Sequence, residues 1–152
     1  MEILKINDLL ERFVGGEIFF DELDDYIKTD INIIKKMEEL MRNRLPPRNE
    51  YKIIVSGEFG LNLINLGGTV DLVVKGGLRK GAKINLDFVK KKIEGYKFAF
   101  VDDSFFKGRT RNVIKAEIER LGGEFLGTVV AYDGSIKKDE NVHSLYRYYD
   151  HH

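Results

Sequence analysis

Cysteine is absent from all 152 residues. That excludes disulfides, thiolate metal sites and a cysteine nucleophile. It is also compatible with a reducing compartment. Net charge is absent too, with 25 basic residues balancing 25 acidic ones. Polyanion-binding proteins are usually globally basic, so bulk charge gives nucleic acid no support as a partner. No apolar run approaches the roughly 18 residues that span a membrane. The opening residues, MEILK, lack a signal-peptide pattern. A soluble, cytoplasmic protein is expected, with no membrane partner. No repeat, low-complexity tract or second domain is visible, so residues 1–152 are expected to form one domain. The terminal His151 and His152 carry no functional weight.

What is present suits a packed core. The chain is 43% hydrophobic and 33% charged, too apolar for a disordered chain. A chain of this length buries roughly two-thirds of its unfolded surface. Residues 1–48 read as a helical segment. Ile3, Ile6, Leu9, Leu10 and Phe13 share one helical face; Phe20, Leu23 and Ile27 suggest a second helix. Asp30 can cap a third, striped by Ile31, Ile34, Met37, Leu40 and Met41 and stopped by Pro46 and Pro47.

From residue 51 the pattern changes to alternating strands and helices. Strands are expected at 51–55, 69–74 and 98–101, the last nearly all apolar, as in a buried parallel sheet. A short strand is expected at 82–84, short helices at 61–66 and 86–93, a helix at 109–121, and a strand at 125–132. This pattern predicts an α/β fold with a mainly parallel sheet. Residues 133–152 read as a polar, aromatic tail, a loop with a short terminal element. His143 is expected to be exposed there.

The chemistry concentrates in residues 98–111, FAFVDDSFFKGRTR. Open parallel sheets bind ligands at the carboxyl ends of their strands, where Asp102 and Asp103 are expected. The stretch Phe106, Lys107, Gly108, Arg109 and Thr110 leads into a helix N-terminus. Unpaired N–H groups and the helix dipole favour an anion there. Gly108 permits close approach, Thr110 adds a hydroxyl, and Lys107 and Arg109 add charge. Carboxylates beside a phosphate cradle suit a phosphorylated sugar.

These residues resemble the signature of the type I phosphoribosyltransferases, an apolar strand, two acids, a spacer and Thr-Gly-x-Thr. The acids, Gly108 and Thr110 are in register; Lys107 replaces the first threonine. The likeness extends over residues 51–132, the core, although only the motif is specific. It implies a three-layer α/β fold with the N-terminal helices as a cap or arm. It implies a glycosyltransferase of nucleotide metabolism that binds phosphoribosyl pyrophosphate, or a nucleotide carrying ribose 5-phosphate. Asp102 and Asp103 would hold the ribose hydroxyls, and residues 106–110 the 5-phosphate. Mg²⁺ would be bound mainly through ligand oxygens and water. A nitrogenous acceptor would displace pyrophosphate. Such folds often pair, which leaves room for a homodimer.

The resemblance also places the pyrophosphate loop at Ser56, Gly57 and Glu58, although Glu58 would repel the anion unless it turned away or met Mg²⁺. A second placement puts Lys75, Gly76 and Gly77 in that role. Arg79, Lys80 and Lys83 fall where a mobile loop supplies cations, and equally suit a solvated loop. Tyr132 is a candidate base-stacking residue at the site rim. In 6-oxopurine transferases an acid precedes the first threonine; Phe106 stands there instead, against that subclass. Two further readings stay open. One is a non-catalytic module that kept the pocket; the other is a scaffold whose helical arm and aromatic tail bind protein or nucleic acid.

Overall fold

The computed structural model describes residues 31–57, 59, 70–74 and 83–150. The two helices expected before residue 30, the helix at 61–66 and the loop at 76–81 lie outside the described residues. So do Lys75, Gly76 and Gly77, offered as the second pyrophosphate-loop placement, and the two terminal histidines.

Helix α1, Ile31–Arg44, ends where Pro46 and Pro47 forbid its continuation. Strand β1, Lys52–Ser56, follows a short 3-10 turn. Strand β2 is Leu72–Val74, shorter than the expected 69–74. The Asp71 carboxylate, not a strand carbonyl, accepts the Ile53 N–H at 2.8 Å, so regular pairing starts one residue later. Residues 83–86 form no strand. A 3-10 turn and the short helix α2, Lys90–Ile93, lead into strand β3, Lys97–Phe105. Helix α3, Arg109–Arg120, and strand β4, Glu124–Asp133, complete a βαβ unit.

The tail differs most from expectation. Val142–Arg147 is a full strand, β5, parallel to β4. Val142, Tyr146 and Arg147 are buried and the residues between only half so. An edge strand with mixed polarity carries too weak an alternation to be read in advance. His143, on this strand, is half-buried rather than exposed. Burial, with Arg44 nearby, pushes its imidazole below the ordinary value, against the opposing pull of Asp139.

The five strands among the described residues are all parallel, in the order β2-β1-β3-β4-β5. β3 is central and presents opposite faces with alternate residues. Ala99 and Val101, with Ile53, Val55, Val129 and Ala131, pack beneath Ile34, Met37 and Met41 of α1. Phe98 and Phe100, with Ile54, pack against Ile114 and Ile118 of α3. Helices on both faces of the sheet give the expected three layers. Burying one phenylalanine such as Phe100, 1% exposed, contributes roughly 1.5–3 kcal/mol. No helix among the described residues is long and apolar enough to cross a membrane.

Candidate functional site

Strand order places the site before any side chain is considered. The chain leaves β1 toward β2 on one side and leaves β3 toward β4 on the other. Where the winding reverses, the connections part at the carboxyl ends of the strands and open a crevice. Ser56 and Gly57 end β1 on one side of that crevice. The acidic pair and the loop after it lie on the other.

The acids do not follow the strand; they lie within it. β3 runs four residues past Val101, with Asp102 opposite Val130, Ser104 opposite Tyr132 and Phe105 opposite Asp133. β4 is long enough to pair with these residues, and Phe105 closes the extension by packing on Val130 and Val142. Asp102 lines a cavity of about 340 Å³ together with Phe100 and Ser104. Asp103, the next residue along the strand, is not among its lining side chains. Its N–H donates to Asp102 Oδ1 at 2.9 Å, and its Oδ1 lies 3.3 Å from the Ser104 hydroxyl.

The same cavity gathers all five residues of the expected phosphate loop, Phe106, Lys107, Gly108, Arg109 and Thr110. Gly108 is the N-cap of α3, with φ of 74°. A Cβ there would stand 3.0 Å from the Phe105 ring and 3.1 Å from Arg111 Nη2. The helix's first bond runs from Asn112 N–H to the Gly108 carbonyl at 2.8 Å. The N–H groups of Arg109, Thr110 and Arg111 precede that bond and have no helical acceptor, and no side chain caps the helix. This is the geometry in which a helix end receives an anion. Lys107 and Arg109 are exposed, and Thr110 is half-buried.

Two polar residues of the lining, Ser104 and Arg111, were not among the expected site residues. Arg111 is the more consequential. Its side chain is only 15% exposed, and Nη1 pairs with Asp139 Oδ2 at 2.9 Å. Nε donates to Asn112 Oδ1 at 2.7 Å, and the guanidinium lies 5.0 Å from the Phe105 ring centroid. The sequence signal was the third cation in the run KGRTR, indistinguishable there from a solvated helix arginine.

Tyr132 is buried, 3% exposed. Phe106 meets it edge-on at 5.6 Å, and Tyr146 stacks on it at 6.1 Å. Stacking on a base would therefore require Phe106, itself 42% exposed, to swing aside. Lys83 is exposed and lines a separate cavity of about 450 Å³, beside Glu117 and Arg120. It is not brought to Asp102. Glu58, Arg79 and Lys80 lie outside the described residues. A larger, mainly apolar cavity of about 490 Å³ lies between α1 and β1, lined by Met37, Met41, Tyr51 and Ile53. It shares no residue with the phosphate loop.

Among the described residues no group of three or more His, Asp or Glu side chains is placed to hold a metal ion.

No protein-family model and no curated protein sequence matches the chain. Solved structures do. A purine phosphoribosyltransferase from Pyrococcus horikoshii superposes with a TM-score of 0.51 at 17% identity, over 75% of this chain and 79% of its own. The Mycobacterium tuberculosis orotate phosphoribosyltransferase, solved with inorganic phosphate, gives 0.51 at 17%, over 81% and 76%. The same enzyme, solved with 5-phospho-α-D-ribosyl 1-diphosphate, gives 0.50 at 17%, over 81% and 78%. The chain has the fold of the type I phosphoribosyltransferases.

Proposed function

We propose that this protein binds phosphoribosyl pyrophosphate, or a nucleotide carrying ribose 5-phosphate, and transfers the phosphoribosyl group to a nitrogenous acceptor. The observation that carries the reading is one cavity, at the reversal of the sheet, that holds Asp102 and the entire 106–110 loop. The 5-phosphate sits on the free N–H groups at the start of α3, with the Thr110 hydroxyl as a further donor. The Lys107 ammonium stands in for a threonine hydroxyl. The Asp102 carboxylate accepts from the ribose hydroxyls, and Asp103, on the neighbouring position, is the second candidate. Pyrophosphate lies toward Ser56 and Gly57 at the end of β1, with Glu58, Arg79 and Lys80 as the remaining candidates to face it.

In the transfer, the acceptor nitrogen forms a bond to C1 and the C1–O bond to pyrophosphate breaks. The electron pair leaves with pyrophosphate, and the acceptor's proton goes to solvent. Negative charge grows on the leaving group, so cationic side chains aimed at it favour the transition state. Mg²⁺, bound through substrate oxygens, supplies further neutralisation when present.

Isothermal titration with phosphoribosyl pyrophosphate and Mg²⁺ tests the binding step. Heat is expected for the wild type and loss of most of it for Asp102→Asn. A folded protein that gives no heat refutes the reading. A panel of nitrogenous bases, scored for pyrophosphate release, then tests turnover. Two observations favour a second reading, a non-catalytic module for the same ligand. Lys107 stands in place of the threonine, and Asp103 lies outside the cavity lining. Binding without pyrophosphate release across the panel would select it.

A further inference from the structure

Arg111 belongs to the first turn of α3, and its guanidinium is contacted by three other side chains. The Phe105 ring lies beneath its guanidinium, Asn112 takes Nε, and Asp139, from the loop between β4 and β5, takes Nη1. Nη2 has no hydrogen-bond partner among the described residues, and it lies on the Gly108 side of the group, 3.1 Å from where a Cβ of that residue would be. The side chain lines the cavity that contains the loop.

We propose that Arg111 is a ligand of the phosphate cradle, offering Nη2 to the anion, and that Asp139 is the residue that positions it. The proposal rests on the ribose 5-phosphate reading above and adds a binding residue that the 106–110 motif does not contain. A guanidinium presents its donors in a fixed planar fork. Once Nη1 and Nε are committed to Asp139 and Asn112, the direction of the remaining N–H bonds is set. A free arginine would have to lose side-chain rotamers on binding; this one has already lost them. Burial opposes ionisation of Asp139, but the Asn141 N–H and Arg111 outweigh it and hold the carboxyl below its ordinary range. The anchor is therefore charged at neutral pH. Arg111 also offsets the loss of a hydroxyl donor at Lys107, since the added group is cationic and its hydrogen bonds to phosphate are charge-assisted.

The test is titration of the full-length protein with ribose 5-phosphate and, separately, with inorganic phosphate. Arg111→Gln should weaken both by about tenfold or more, the loss expected for one charge-assisted hydrogen bond. Asp139→Asn should weaken both a few-fold in the wild-type background and not at all in the Arg111→Gln background, because its effect passes through Arg111. Arg111→Lys, which keeps the charge and the stem, allows the same comparison should the glutamine variant not fold. Folded variants of Arg111 that bind within twofold of wild type would overturn the assignment while leaving the ribose 5-phosphate reading intact. So would an Asp139→Asn loss of equal size in both backgrounds. A wild type that binds neither probe overturns both.

Discussion

Replacing Gly108 by alanine should damage stability and binding through one atom. The N-cap residue has φ of 74°, where an L-residue with a Cβ loses roughly 1–2 kcal/mol. The new Cβ would also stand 3.0 Å from the Phe105 ring and 3.1 Å from Arg111 Nη2. Phe105 is 7% exposed and wedged against Val130 and Val142, so it yields little, and crowding adds about 1 kcal/mol. Against this, alanine restricts the unfolded chain and returns roughly 0.4–1 kcal/mol. The balance is a loss of about 2 kcal/mol. For a domain of this length each kcal/mol shifts Tm by roughly 2–4 °C, so a drop of about 4–8 °C is expected by calorimetry. Binding should suffer separately, since relieving the contact moves either the turn or Arg111. A Gly108→Ala protein that melted within about 1 °C of wild type would refute the reasoning about this turn. One that melted lower yet bound ribose 5-phosphate normally would show that the turn is structural only.

Glu117, 6% exposed, accepts the Leu86 N–H at 2.6 Å and the Arg120 Nε at 2.6 Å; Glu117→Ala should cost about 2 kcal/mol in urea denaturation by stranding the Leu86 N–H. The Arg120 hydrogen bond, opposed by burial and helped by the Leu86 N–H, depresses the Glu117 pKa. Its contribution should be complete above the unfolded carboxyl's own value, about 4.3, and fade as pH falls through the lower folded value. The stability gap between wild type and Glu117→Gln, followed by denaturation from pH 7 to pH 3, should therefore narrow only at the acid end. Arg147, 9% exposed, ties Asp133 at 3.5 Å and the Ser135 carbonyl at 2.8 Å; Arg147→Met should cost about 3 kcal/mol or more by thermal unfolding, because a buried carboxylate loses its counter-charge.

The sequence was most readable where a pattern repeats. α1, β1, β3, α3 and β4 all declared themselves through stripes or apolar runs, and Pro46 and Pro47 marked the end of α1. Local signals also marked the turn at residues 106–110, because Gly108 precedes a striped segment and stands at the N-cap of α3. Three things were illegible for physical reasons. β5 is an edge strand of mixed polarity whose stability comes from β4, a partner outside its own window. The extension of β3 through Asp102 and Asp103 is a tertiary choice, since two acids disfavour a strand on propensity alone. The partner of Arg111 is 28 residues away, and no spacing rule links an arginine in a helix's first turn to an aspartate in a later loop.

That extension makes the two acids unequal, and the inequality can be measured. If both carboxylates are to meet one ribose, the end of β3 must rotate. The pairings of Ser104 with Tyr132 and Phe105 with Asp133, together with the bond from Gly134 N–H to the Phe105 carbonyl at 2.9 Å, would have to yield. Each such bond contributes about 1 kcal/mol net, so peeling the strand end costs roughly 2–3 kcal/mol before the second carboxylate gains anything. One carboxylate contact to a hydroxyl recovers roughly 1.5–3 kcal/mol on the same scale, which does no more than offset that cost, and the strand should therefore stay paired. Asp102→Asn is then expected to weaken ribose 5-phosphate binding about tenfold, and Asp103→Asn by no more than about threefold. The Gly134 amide should remain protected from hydrogen exchange in the bound state. Equal losses for the two variants, together with deprotection of Gly134 on binding, would show that the ligand remodels the strand, and the cavity seen here would then be only the resting form of the site.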